Sequence, residues 1–392
     1  MSNPSLLSFP AIVIYVNSIG QALLFALFIP TLSLYVAERF NANAFWVGTF
    51  FVGTASTGII YSHILGRLSD RMQDRRWLIA IGMFGGGLAS ALLAYAPSYA
   101  LALIVGLSLF SLAFSSIAQI FAHARDYSDT HLNRKQSVMF NSTVRACAAF
   151  AWVGGPPIGF ILLGYIGFKA LYLAIAVLYL MGALTALISL PRVTRAKQEA
   201  PVEHANKGRT IVFAMCAFSL LYACNQSYLI ALPLYLSQDL GVDSEWAGWI
   251  MGTAAALEIP VMIFAGWLGS RFSLPPLIRI GAIAPIALYV GFWQADSVWQ
   301  LFPLQILNAM MIGFIAGLGM TWFQDLMPGK AGAASALYWN STNIGNILGA
   351  ASIAVFAQMF GYRDMYVVNA IMACIACGFL FAIGGNKSKL ES

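Results

Sequence analysis

The sequence predicts an all-α membrane protein: twelve transmembrane helices arranged as two pseudo-symmetric six-helix bundles. Three observations lead there. The chain of 392 residues is 60% hydrophobic and only 9% charged, with a mean hydropathy of +0.77, whereas soluble domains carry about 25% charged residues. Its apolar residues fall into long runs, each of about 20 positions or more and able to cross a hydrocarbon core about 30 Å thick. The chain also repeats itself at a spacing of 200 residues: Leu32, Leu34, Tyr35, Trp46, Gly48, Gly66, Leu68 and Arg71 recur as Leu232, Leu234, Tyr235, Trp246, Gly248, Gly266, Leu268 and Arg271. Further along each half, Asp126 precedes Asn141-Ser142-Thr143 by 15 residues, as Asp325 precedes Asn340-Ser341-Thr342. A membrane protein built from two repeated halves reads as a transporter with its site between them.

The twelve runs lie near residues 10–37, 44–66, 77–96, 99–122, 138–164, 168–190, 210–238, 245–270, 276–294, 298–325, 331–358 and 364–385. In lipid a backbone must satisfy its own hydrogen bonds, so runs of this length are helices, and the ten-residue alternation of barrel strands is missing. The first run follows no basic segment and no clear cleavage site, so it reads as a retained span. Gly85-Gly86-Gly87 in the third has no preceding strand, so it reads as a helix-packing surface and not a phosphate loop. The longest polar stretch, PRVTRAKQEAPVEHANKGR at 191–209, divides the runs six and six. Residues 1–190 therefore form one bundle, 191–209 a cytoplasmic linker, and 210–392 the second bundle. Cys147, Cys216, Cys224, Cys374 and Cys377 all sit in apolar surroundings and read as packed free thiols. No metal or other cofactor is expected.

The net charge of +6 matters less than its placement. With twelve spans, alternate loops face the same side. Seventeen of the 21 lysines and arginines, among them Arg67, Arg134, Arg192 and Lys387, fall in one set of loops and tails. The other set holds Arg39, Lys169 and Arg363. The positive-inside rule then puts both termini in the cytoplasm. Basic loops of this kind are topology signals; a nucleic-acid surface would need aromatic interleaving or a folded basic face.

The loop after the second run reads GRLSDRMQDRRWLI, Gly66 to Ile79. Gly66 would let helices approach closely, Asp70 would face a helix N-terminus, and Arg71, Arg75 and Arg76 would meet carboxylates at other helix ends. The matching loop keeps Gly266, Leu268 and Arg271 but has Ser270 at the acidic position. This pattern resembles the signature loop of the major facilitator superfamily, with Gln73 where that family usually has glycine. The resemblance implies that Asp126 pairs with Arg75 or Arg76 as a cytoplasmic latch, and Asp325 with Arg271. The alternative is ordinary solvated loop charge. The fifth run carries Trp152-Val153-Gly154-Gly155-Pro156-Pro157-Ile158-Gly159. It resembles the Gly-Pro motif of proton-coupled exporters in the superfamily, with Ala151 in a place where glycine is common; its prolines bend the helix in either case.

A narrower resemblance covers nearly the whole chain. LFALFIPTLSLYV (24–36), FWVGTFF (45–51), FAHARDYSD (121–129), AWVGGPPIGF (151–160), MGTAAALEIPVMI (251–263) and WFQDLMPGKAGAAS (322–335) are similar to strings in the bacterial sugar efflux transporter family. That similarity implies a monomeric inner-membrane protein that exports sugars or small glycosides by proton antiport, with the halves rocking around a midplane site.

Two ionisable residues lie well inside spans. Glu258 follows Glu245, at the outer end of the eighth span, by 13 residues, which places it about 20 Å down, near the midplane. A carboxyl there needs a cavity or a partner. Because such surroundings disfavour its charged form, it is the candidate proton carrier. Pro260 leaves a carbonyl near Ala256 without its helical donor. Arg145 lies about 12 Å inside the fifth span; it could bridge to Glu258, bond substrate hydroxyls or snorkel. Neutral partners for sugar hydroxyls are Asn17 and Gln21, Ser111, Ser115 and Gln119, Asn225, Gln226 and Tyr228, Gln305 and Asn308, and Asn340 and Asn343. Each could equally bond between helices, for about 0.6 kcal/mol. Trp322 offers a stacking face or marks the interface, and His63 is a weaker proton carrier. The rivals are a multidrug antiporter, which would want a more aromatic cavity, and a membrane sensor, which would want a soluble output domain. No nucleophile–base pair or H-E-x-x-H motif suggests an enzyme.

Overall fold

The computed structural model describes residues 6–72, 74–193, 208–328 and 330–384. Gln73, most of the linker, the basic tail, and the side chains of Asp70, Arg71 and Ser115 lie outside the described part. The described residues form helices α1 (Phe9–Phe40), α2 (Ala44–Arg71) and α3 (Arg76–Ala94), then α4 (Tyr99–His131). A continuous run, Arg134–Ser189, holds α5 (134–166) and α6 (168–189). There follow α7 (Gly208–Asp239), α8 (Glu245–Gly269), α9 (Leu274–Gln294) and α10 (Val298–Leu326). A second continuous run from Ala331 to Gly384 holds α11 (331–360) and α12 (362–384).

Among the described residues ten helical stretches are long and apolar enough to cross a membrane, and two of these, Met139–Ser189 and Ala333–Ile383, are 51 residues long. Each of the two breaks at a glycine outside helical geometry, Gly167 (φ 70°, ψ 170°) and Gly361 (φ 88°, ψ 171°). A residue with a Cβ is strained in that conformation, so each glycine is where the chain turns between two spans. The twelve predicted spans are thus present.

The sequence repeat is also a backbone repeat. Among the described residues positive φ occurs at four places, Asn41, Gly167, Gly241 and Gly361. They form two pairs: Asn41 and Gly241 lie just past the first helix of each half, and Gly167 and Gly361 join the fifth and sixth. Tyr35 donates its hydroxyl to Leu93 O at 2.6 Å, and Tyr235 donates to Phe292 O at 2.9 Å. Both tyrosines are buried, so each ties the end of a first helix to the end of a third.

The contacts divide the chain into two compact units, residues 1–41 with 53–198, and 42–52 with 199–392. The second takes in the start of α2, where Phe45 N donates to Gln358 Oε1 at 3.1 Å. A Cβ on Gly48 would run into the backbone of Ala354. The unit boundary therefore departs from the linker boundary at that one segment.

Lipid tails are as apolar as leucine, so helices associate through close packing, and small residues permit it. In the first unit α5 lies on α1: a Cβ at Gly155 would overlap Ala26, and one at Gly159 would stand 2.9 Å from Leu27 O. Gly82 and Gly86 of α3 would meet Ser116 of α4 at 2.9 Å and Tyr179 of α6 at 2.8 Å. In the second unit Gly345 and Gly349 of α11 press on the α7 backbone, Gly291 of α9 on Leu304, and Gly313 of α10 on Val261. Gly85-Gly86-Gly87 is a packing surface, as predicted. Gly66 and Gly266 are not: a Cβ on either would meet nothing within 4 Å. Large apolar side chains such as Ile64, Phe84, Ile104, Ile188, Ile263 and Phe360 face outward, a surface that lipid accommodates.

Candidate functional site

Glu258 stands on α8, two residues before Pro260, half-buried and in no ion pair among the described residues. Tyr228 of α7 lies within electrostatic reach of it. The buried Tyr228 hydroxyl donates to Gln305 Oε1 at 3.1 Å, and Asn308 Nδ2 donates to the same oxygen at 3.3 Å. Gln305 Nε2 is itself fixed by Leu301 O at 2.9 Å, which sets the orientation of both amides. Asn308 Oδ1 is then a buried acceptor without a partner, and such an atom costs about 1–3 kcal/mol unless a donor reaches it. The second unit thus brings one carboxyl, one phenol and two amides together.

The other predicted residues of this unit are more dispersed. Gln226 is half-buried with its Cβ against Gly349, in the α7–α11 seam. Asn225 and Asn343 are half-buried and Asn340 is exposed. Trp322 is not open for stacking: it is 3% exposed, with its ring 5.8 Å from that of Phe218. Its neighbours Phe218, Phe323 and Tyr338 make it part of the core.

In the first unit Gln21 is 2% exposed and neither amide atom has a partner. Asn17, one turn earlier, is half-buried and donates to Val13 O at 2.9 Å. Arg145 is exposed and joins no ion pair among the described residues. Ser111 is consumed in packing, bonded to Thr54 O, Gly106 O and Thr57 Oγ1. His63 is exposed and bonds to Ile59 O of its own helix.

Gln119 accepts from Arg75 Nη1 at 3.2 Å and so stands beside a charge cluster. At the centre of that cluster Arg75 Nε meets Asp126 Oδ2 at 2.6 Å, with side chains 11% and 16% exposed. Of the two arginines the resemblance allowed, Arg75 is the partner. Arg76 instead holds Asp74 at 2.7 Å and donates to Leu187 O and Leu190 O, tying the loop to the end of α6. The Arg76 guanidinium hydrogen-bonds the Asp74 carboxyl and holds it below its usual range. His123, a turn from both Gln119 and Asp126, is 2% exposed within this cluster. Its spacing in FAHARD could have revealed it. The equivalent pair in the second unit is not formed: Arg271 lies over the Trp267 ring at 4.2 Å, and Asp325 is exposed, in no ion pair among the described residues. With Ser270 in the acidic place, the ring of the preceding helical turn is the nearest partner for that guanidinium.

Comparison with known proteins agrees with this architecture. The Major Facilitator Superfamily profile matches residues 14–338 and 214–390. Sugar efflux transporter A of Dickeya chrysanthemi is 40% identical over 352 residues, 88% of each chain. Sugar efflux transporter A of Escherichia coli K12 is 37% identical over 357 residues, 90% of each. Among solved structures, the nucleoside transporter NupG superposes with a TM-score of 0.78 at 15% identity, covering 95% of this chain and 98% of its own. A bacterial homologue of the human lysosomal transporter Spinster gives 0.78 at 12%, covering 96% of each. At those identities the structures speak for the fold alone. With its apolar helices, the chain is a multi-pass membrane protein. On the strength of the sequence relatives, it belongs to the sugar efflux transporter family of the major facilitator superfamily.

Proposed function

We propose that the protein exports sugars or small glycosides across the bacterial inner membrane, by proton antiport with alternating access, as a monomer with both termini in the cytoplasm. The observation that carries the substrate class is the 40% identity, over 88% of both chains, to a relative named a sugar efflux transporter. The amides support it: Gln21 and Asn308 are buried groups with free hydrogen-bonding capacity, suited to hydroxyls that both donate and accept. Asn17, Asn225, Gln226, Asn340 and Asn343 are further candidates, and the exposed Arg145 is a cation that could bond substrate hydroxyls.

Glu258 supports the coupling. It is an ionisable group mid-helix in no ion pair among the described residues, which in a membrane marks a transport pathway. Protonated from outside, it would cross neutral and release its proton inside as substrate leaves. The membrane potential adds about 2.3 kcal/mol per 100 mV for each charge moved. The Arg75–Asp126 pair would serve as a latch that breaks and re-forms in the cycle.

The test is movement of radiolabelled lactose or thiogalactoside in inside-out vesicles, with and without an imposed proton gradient, for wild type and Glu258→Gln. Gradient-driven accumulation that Glu258→Gln abolishes is expected. Accumulation untouched by the substitution moves the proton site elsewhere. No sugar movement by protein intact in the membrane favours the drug antiporter.

A further inference from the structure

The two units share a backbone plan, so positions where their side chains differ in chemistry carry information. The first unit has Phe28, Arg39, Gly58, Ser90 and Ile175 where the second has Tyr228, Asp239, Glu258, Tyr289 and Asn369. The offset is 200 residues for the first three pairs, as for Asn41 and Gly241. It is 199 for the fourth, as for Asp126 and Asp325, and 194 for the fifth, as for Gly167 and Gly361. By the last offset Tyr366 matches Tyr172.

These separate changes converge in space. The rings of Tyr289 (α9) and Tyr366 (α12) stack 6.1 Å apart. Phe292 packs on Tyr366 at 4.9 Å and on Tyr228 at 5.7 Å. Asp239, at the end of α7, is within electrostatic reach of Tyr366, Tyr366 and Tyr289 of Tyr228, and Tyr228 of Glu258. Asn369, one turn beyond Tyr366, is fully buried and accepts from Ser227 Oγ at 3.0 Å. Three buried polar atoms here have no partner: Tyr289 Oη, Tyr366 Oη and Asn369 Nδ2. Buried polar groups are normally satisfied, and a site with several free ones suits small polar guests such as water. On the same line the first unit keeps Tyr172, whose hydroxyl is likewise buried without a partner, but has neither carboxylate nor amide at the matching positions, and its Ser90 is bonded to Gly86 O at 2.9 Å.

We propose that these groups form a hydrated proton path confined to the second unit, running from Asp239 past Tyr366, Tyr289 and Tyr228 to Glu258, with Asn369 holding bridging water. Each neutral hydroxyl or water accepts a proton on a lone pair and releases its own to the next oxygen. One proton enters at the Asp239 end, one arrives on the Glu258 carboxylate, and only O–H bonds are exchanged. No tyrosine has to ionise.

This inference rests on the proton-coupled reading above, and the experiment separates the two. Tyr289→Phe, Tyr366→Phe and the double variant would be compared with wild type in inside-out vesicles by two rates. One is accumulation of labelled thiogalactoside driven by a proton gradient. The other is exchange of labelled for unlabelled thiogalactoside at equal pH on both sides, which needs no net proton movement. The double variant is expected to slow gradient-driven accumulation about tenfold or more, while exchange stays near wild type. Tyr172→Phe in the first unit should change neither. Equal loss of both rates in the double variant would mean the hydroxyls serve packing and would overturn the path, as would unchanged rates. Absence of proton coupling in wild type would remove the antiport reading itself, and the path with it.

Discussion

Arg75 Nε lies 2.6 Å from Asp126 Oδ2, whereas 199 residues beyond Asp126 its counterpart Asp325 meets no cation among the described residues. One half of a duplicated protein has kept an ion pair and the other has replaced it with an arginine resting on tryptophan. The first pair is largely shielded from water, so removing one partner leaves a poorly solvated charge. Asp126→Asn or Arg75→Gln should each lower stability by about 2 kcal/mol. A double-mutant cycle on the purified protein should give a coupling of about 1–2 kcal/mol. The same cycle on Arg271 and Asp325 should give a value near zero, because no interaction exists to lose. Equal coupling in the two halves would contradict the asymmetry.

The glycines divide by what surrounds them, and not by whether they fall in a recognisable motif. Gly155→Ala would force α5 off α1, and Gly349→Ala would force α11 off α7. Overpacking of this kind costs about 1–3 kcal/mol. Gly66→Ala and Gly266→Ala place a methyl in open space inside a helix, where alanine is favoured over glycine by about 1 kcal/mol. Thermal unfolding in detergent should therefore show the first two variants destabilised and the second two neutral or stabilised. Destabilisation by Gly66→Ala would mean that the signature loop makes a close contact in another conformation.

Much of this was legible in the sequence because it rests on one-dimensional signals. Run length gave the twelve spans, although the turn between α5 and α6 had to be read from the end of one run at 164 and the start of the next at 168; a single glycine, Gly167, supplies it. The repeat gave the pairing of halves. Partner choice was not legible. Whether Arg75 or Arg76 faces Asp126 depends on the turn between α2 and α3, and both are preceded by the same charged segment. The hydrogen bond from Arg75 to Gln119 was not legible for the same reason. Asn308 stands out only once Tyr228 and Leu301 fix the neighbouring Gln305.

Trp322 separates packing from binding. Sequence left it between a stacking face for sugar and an interfacial anchor, and the structure buries it against Phe218 and Phe323. Trp322→Ala should destabilise the second unit by about 3–5 kcal/mol. Trp322→Phe, which keeps an aromatic ring in the cavity, should restore most of that and transport with an unchanged KM. A raised KM in a Trp322→Phe protein of normal stability would return the residue to the substrate site.

The Asp74–Arg76 pair gives a pH dependence whose sign can be worked out. Asp74 lies between α2 and α3, and hydrogen bonds from Arg76 hold its carboxyl below its ordinary value. The unfolded carboxyl titrates near 3.9. A group with a lowered folded value stabilises the protein fully above the unfolded value and loses that contribution as pH falls through the folded one. Bonds from a charged donor of this kind are worth about 1.5–3 kcal/mol, and Arg76 keeps Leu187 O and Leu190 O as acceptors when the carboxylate is gone, so the loss should sit at the low end of that range. Wild type should be more stable than Asp74→Asn at pH 7, with the gap closing as pH falls below about 4. Thermal unfolding of both proteins in one detergent, across pH 3 to 7, reads this directly. A gap that stays constant over that range would mean the carboxylate charge contributes nothing, and that the loop is held to α6 by the backbone carbonyls alone.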